Sequence, residues 1–389
     1  MNHQAIACPR WSHPDHGSPC AGQYLVSHSG RLRSCGRTRS PKGRGKPIGA
    51  ERGPFWLAAQ VAKAFGRDKL SWEDRVAWTH SNEDMLRRIA SDPLGNRQEW
   101  EHESDKLWAA LAAAREWTSY LDSGRSPSFI TTLPVFIDGT CNGLQHYAAL
   151  SGDPKLARLV NLEPGDKREF FDENERKRRH EWGHSVDDQE ATDLRVWLAK
   201  RLEAALKGKT ESADAIMKWL QDAMRLLCDR GVADKLDFRT PASFPWKNLY
   251  FGHTKQKVKL TEGGRKHAMT LAANDTSKFN GKDADDAVAP NFAHGLDAAA
   301  MQLAICEANS RGVTDMMAIH DCIGGLAPDM DIIAEAVRIG FVKCHDAMPL
   351  ERFREAVLMA LPDGVKLDPL PDRGEFDVRR VLESGYFFC

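Results

Sequence analysis

The sequence lacks any apolar run of membrane-spanning length, and no charged start leading into a continuous apolar core marks a secretory signal. It lacks an excess of either charge, since 54 Lys and Arg against 55 Asp and Glu leave a formal net charge of −1. A chain so balanced is not, as a whole, a basic nucleic-acid-binding module, and any surface for a polyanion has to be a local patch. Regular cysteine spacing is missing too: the nine cysteines, an odd number, fit a reducing cytoplasm better than a disulfide framework. No internal repeat is found. What remains is a globular composition, 42% hydrophobic and 28% charged over 389 residues, enough for two or three lobes sharing a large core.

Residues 1–44 stand apart. Scattered Cys, His, Pro and Gly give way to a basic run (Arg31, Arg33, Arg37, Arg39, Lys42, Arg44), with no apolar periodicity to support a helix or strand. This segment reads as a disordered basic tail. Cys8, His13, His16 and Cys20 match no zinc-site spacing. From Gly45 onward the chain reads as folded. Residues 55–65 form an apolar helix that stops at Gly66, and Ser71 is placed to cap the next helix with Asp74 three residues on. Helical patterns follow over 105–121 and 213–228, and again after 291–295, where Leu296, Ala299, Ala300, Leu303 and Ala304 share a face. Gln256 to Leu260 alternates like a strand, whereas 166–210 is dominated by charge and reads as exposed helix or loop. Helices dominate, with short strands, which is an α+β pattern rather than alternating βαβ units.

Two apolar, strand-like runs each end in an aspartate. One is Leu133-Pro134-Val135-Phe136-Ile137-Asp138-Gly139, the other Met316-Met317-Ala318-Ile319-His320-Asp321-Cys322-Ile323-Gly324-Gly325. The second reads as a hairpin with its acid at the tip. If the fold brings Asp138 and Asp321 together, the pair can hold two Mg²⁺ about 3.5–4 Å apart, as phosphoryl-transfer sites do. Mg²⁺ prefers oxygen ligands, commonly one or two carboxylates completed by water and substrate phosphate. Gly139 would let the backbone approach an ion, and Gly324-Gly325 would let a nucleic-acid strand approach the hairpin. Taken singly, each aspartate is equally a turn former or a helix cap, and His320 a structural hydrogen-bonding residue.

The longer strings resemble the single-subunit DNA-directed RNA polymerases of bacteriophages and mitochondria. Phe136-Ile137-Asp138-Gly139-Thr140-Cys141-Asn142-Gly143-Leu144-Gln145-His146-Tyr147 resembles that family's first palm motif, and Ala318-Ile319-His320-Asp321-Cys322-Ile323-Gly324 its second. Further similar segments occur in the same order. They are Gly45-Lys46-Pro47-Ile48-Gly49, Gly66-Arg67-Asp68-Lys69-Leu70, Asn161-Leu162-Glu163-Pro164, Thr240-Pro241 with Phe244-Pro245, Ala289-Pro290-Asn291-Phe292-Ala293-His294-Gly295-Leu296-Asp297, and the aromatic end Val381-Leu382-Glu383-Ser384-Gly385-Tyr386-Phe387-Phe388-Cys389.

The resemblance implies a mostly helical α+β fold with a right-hand polymerase palm. It implies two Mg²⁺ held by Asp138, Asp321 and the Gly139 backbone carbonyl, with the two aspartates as the catalytic residues. His320 would orient the RNA 3′ end or its neighbouring carboxylate, His294 would lie near the template–product duplex, and the aromatic end would pack close to the site. DNA template, RNA product and ribonucleoside triphosphates follow as partners, and bacteriophage or prophage origin in a bacterial cytoplasm as the setting. The organisation expected is a tail at 1–44 and a catalytic region over 45–389. Within the latter, 45–165 is thumb-side and palm, 166–212 shortened fingers, and 213–389 the fingers remainder and palm.

Departures narrow this. The family's large amino-terminal promoter domain has no counterpart, and neither does its fingers helix with the nucleotide-gripping Lys and Tyr. Lys266 echoes that lysine, but Ala273-Asn274 stand where Tyr-Gly belongs, so Lys266 is not assigned. The expectation is a palm-containing remnant or truncated form of such a polymerase, its catalysis weakened by the loss of the fingers lysine, with a separate polypeptide as one source of the missing parts. Against it stand an inactive nucleic-acid-binding remnant and, third, a metal-dependent hydrolase.

Overall fold

The computed structural model describes residues 45–101, 107–166, 208–262 and 265–389, with the backbone of short strands at 24–26 and 32–34. Helices dominate the described residues and short strands join them, as the α+β reading expects. The charged stretch 167–207 and the group Cys8, His13, His16 and Cys20 lie outside the described residues.

Where a structureless tail is expected, two strands form, β1 (Tyr24–Val26) and β2 (Leu32–Ser34). They pair with each other, and β1 pairs antiparallel with residues 316–318. A sheet edge offers backbone N–H and C=O groups to any extended segment, so this pairing needs no apolar periodicity in the tail. β3 (Lys46–Pro47) follows and pairs with β4 (Ile130–Thr131). Lys46 Nζ reaches Asp329 Oδ2 at 2.6 Å, tying β3 to the segment after the second aspartate.

Helix α1 (Arg52–Ala64) buries Trp56, Leu57, Ala58, Val61 and Ala62, and the chain turns at Gly66 with φ +75°. Ser71 caps α2 (Trp72–Ser81) as predicted, its Oγ accepting from Asp74 N at 3.1 Å. Then come α3 (Glu83–Ser91) and α4 (Leu107–Asp122), whose Glu116 accepts from Thr132 N at 2.6 Å and Leu133 N at 3.1 Å and so aims the chain into β5 (Pro134–Ile137). Beyond it lie α5 (Asn142–Ser151), α6 (Pro154–Leu159), α7 (Glu211–Asp229), β6 (Phe238–Arg239) and β7 (Pro245–Trp246). A long hairpin, β8 (Phe251–Glu262) with β9 (Arg265–Phe279), contains the strand expected around Gln256.

Helix α8 (Gly281–Ser310) starts ahead of the place the sequence suggests, because it runs through Pro290. Side chains from outside the helix take carbonyls on both sides of the proline. Asn248 Nδ2 donates to Ala284 O, Tyr147 Oη to Ala289 O and Trp246 Nε1 to Asn291 O, at 2.7, 2.8 and 3.1 Å. A proline costs a helix interior one bond, and these three side chains fasten the helix to its neighbours on either side of that place. Strands β10 (Met316–Ile319) and β11 (Cys322–Leu326) follow, then α9 (Met330–Asp346) and α10 (Pro349–Ala360).

The main sheet has the order β2-β1-β10-β11-β5, every neighbouring pair antiparallel. α8 packs along α7, α9 and α5. One contiguous core runs from Ile48 to Phe388 and takes in Ile333, Val337, Phe341 and Cys344, which share one face of α9. Among the described residues, no helix is long and apolar enough to cross a membrane.

Candidate active site

The two aspartate segments are neighbours in the main sheet. Ile319 pairs with Cys322, so His320 and Asp321 form a two-residue turn, with His320 at φ +55°. β11 then pairs with β5 in the register Ile323↔Ile137 and Gly324↔Phe136. Asp138 lies one residue past Ile137 and Asp321 two before Ile323, so both acids emerge at the same end of adjacent antiparallel strands. The hairpin expected from the sequence is present, with the acid at its tip.

β5 is an edge strand, and its free edge is covered. Gln60 Oε1 accepts from Phe136 N at 3.0 Å, while Lys63 Nζ donates to Phe136 O at 3.1 Å and to Cys389 O at 3.4 Å. Past Ile137 the last residues of the sequence take over. Asp138 and Cys389 exchange backbone hydrogen bonds of 3.4 and 2.9 Å, Thr140 N donates to Phe387 O at 3.4 Å, and Gly139 forms a bridge with Phe388. Gln145 Nε2 also donates to Phe387 O, at 3.0 Å. The aromatic end therefore packs against the first aspartate.

Gly139 N donates to Asp138 Oδ1 at 3.0 Å, and a Cβ at Gly139 would stand 3.1 Å from that of Asn142. The glycine pair of the hairpin has an internal cause. A Cβ on Gly324 would lie 2.5 Å from the Phe136 ring and one on Gly325 2.3 Å from Ile333 Cδ1, so both are buried against this chain rather than open to a strand of nucleic acid. His320 and His294 are exposed, the latter on α8.

Charge gathers here. Burial, together with the charges of Asp321 and Asp138, raises the Asp297 carboxyl to about 7, against the lowering effect of its hydrogen bond from Asn142. On the other side Lys63 is a largely buried cation. Burial lowers its pKa, and the charges of Cys322 and Asp138 partly offset that. Asp297, Asn142 and Lys63 received no role from the sequence. Asp297 lies three residues after His294, on one helical face, which is a readable signal. Lys63 and Asn142 had none, because their partners are remote in the chain. Among the described residues, no three His, Cys, Asp or Glu side chains gather closely enough to hold a metal by themselves.

The family description of the DNA-dependent RNA polymerases matches residues 46–172 and 170–366, most of the chain. The chain belongs to that family. The mitochondrial DNA-directed RNA polymerase 1 of Arabidopsis thaliana is 29% identical over 88% of this chain and 40% of its own length. The mitochondrial enzyme of Schizosaccharomyces pombe is 26% identical, covering 88% of this chain and 37% of its own length. For the chloroplastic RNA polymerase 3 of Nicotiana sylvestris the values are 26%, 88% and 40%. This family member thus spans about two fifths of the length of these relatives.

The expected setting, a phage or prophage gene product in a bacterial cytoplasm, is overturned by these relatives, which are mitochondrial and chloroplast enzymes. The polymerase motifs that suggested it occur in phage and mitochondrial members alike, so they carry chemistry and no address.

Proposed function

We propose that this chain carries the nucleotidyl-transfer centre of a DNA-directed RNA polymerase palm, which joins ribonucleoside monophosphates to an RNA 3′-hydroxyl on a DNA template. The observation that carries the reading is the emergence of Asp138 and Asp321 at one end of β5 and β11. One carboxylate sits just past β5 and the other in the tight turn between β10 and β11, so paired strands hold the direction of both. Asp138, Asp321 and the Gly139 carbonyl would hold two Mg²⁺. Their oxygen donors suit a hard cation, and the negative field felt by Asp297 is one that a divalent ion relieves. Such ions, when bound, activate the 3′-hydroxyl and neutralise the leaving pyrophosphate.

The chain's own residues divide the remaining work. Lys63 steadies the strand that carries Asp138 through the carbonyls of Phe136 and Cys389. His320, exposed beside Asp321, orients the RNA 3′ end, and His294 faces the template–product duplex.

Extension of an RNA primer on a DNA template, with Mg²⁺ and ribonucleoside triphosphates, tests this reading. The unmodified chain is expected to extend the primer, and Asp138→Asn and Asp321→Asn each to reduce extension to background. No extension by the unmodified chain at high concentration, or extension that survives both substitutions, would overturn it.

A further inference from the structure

Asp297 sits on α8, and its carboxylate accepts a hydrogen bond from Asn142 Nδ2. Asn142 opens α5, four residues after Asp138, and its Cβ and Cγ wall the space beside Gly139. The amide therefore ties Asp297 to the turn that carries the first aspartate. Behind the carboxylate a small hollow is lined by Ala300, Met301, Val337 and Phe341. His146 also lines it, 1% exposed, with its Nε2 unpartnered within the chain. Low-dielectric walls of this kind leave charge–charge interactions poorly screened. In these surroundings Asp297 feels the like charges of Asp321 and Asp138.

Repulsion among three acids is costly in a partly buried place, and a divalent cation removes the cost. Since the described acids do not close into a three-ligand cage, Asp297 acts on such an ion through its field. Outer groups of this kind commonly shift metal affinity by about 10–100-fold.

We propose that Asp297 is a third acidic member of the site, held by Asn142 so that its charge raises the affinity of the Asp138–Asp321 pair for divalent cations. It is a positioning residue, and the assignment rests on the reading of that pair as the metal-binding one.

Mn²⁺ titration of the full chain, followed by electron paramagnetic resonance of the free ion, tests this without any need for activity. Asp297→Asn, nearly isosteric and still able to accept from Asn142, is expected to weaken Mn²⁺ binding roughly tenfold. Asp297→Glu keeps the charge and is expected to recover most of the affinity, with near-ultraviolet circular dichroism reporting that both variants are folded. Binding by Asp297→Asn equal to the unmodified chain would overturn the proposal. So would an Asp297→Glu variant that is folded yet as weak as Asp297→Asn, since shape rather than charge would then matter. If Asp138→Asn and Asp321→Asn leave Mn²⁺ binding intact, or the unmodified chain binds none, the metal reading fails and this one with it. If those substitutions abolish binding while Asp297→Asn does not, only the present proposal fails.

Discussion

Gly324 sits face to face with the Phe136 ring across β11 and β5, and a methyl group there would meet the ring at 2.5 Å and Val135 O at 2.8 Å. Gly324→Ala is therefore expected to destabilise the fold by about 1–3 kcal/mol, read from the denaturant midpoint. Activity should fall with it, because the strands that would move carry both aspartates. His146 and His345 show a different single-residue cost. Both are buried, with His146 Nδ1 and His345 Nε2 3.0 Å apart. Burial lowers His146 from 6.5 to about 3 and takes His345 well below its ordinary value. The unfolded chain takes up protons on them near pH 6.5, whereas folded His146 resists until about pH 3, so stability is full above that window and falls as pH drops through it. At pH 5 His146 alone should cost about 2 kcal/mol. Urea midpoints at pH 7.5 and pH 5 are expected to differ accordingly, and His146→Leu to shrink the difference.

At the scale of elements, α8 runs through its internal proline while side chains of other segments bond its carbonyls on either side. Tyr147→Phe removes the buried hydroxyl bond to the Ala289 carbonyl and is expected to lower stability by about 1 kcal/mol in thermal melts. The same element shows where sequence reading stops. The apolar face after 291–295 was legible, but its start was not, since Asn248, Tyr147 and Trp246 lie far from Pro290 in the chain. The turn at His320 and Asp321 was legible because a two-residue connection fixes its own geometry. The reason for Gly324 and Gly325 was not, because their neighbours Phe136 and Ile333 belong to other elements. Likewise the strands at 24–26 and 32–34 pair against the open edge of β10, a partner remote from them in the chain.

At the scale of the whole molecule, a single core among the described residues joins Ile48 to Phe388. Phe387, fully buried, stacks edge-on against Phe341 of α9 at 4.8 Å while its carbonyl accepts from Thr140 and Gln145. Phe387→Ala is expected to cost about 3–5 kcal/mol, measured by chemical denaturation, and to abolish extension as well. That double role has a consequence for how the protein comes into being. Thr140 and Tyr386 are 246 residues apart, yet they meet beside Asp138. Chains are made from the amino end and begin to fold while still growing. The first aspartate waits through that long interval with its sheet partner unmade, and its surroundings close only after residues 386–389 have left the ribosome. An interrupted translation product would thus carry both acids but no assembled centre.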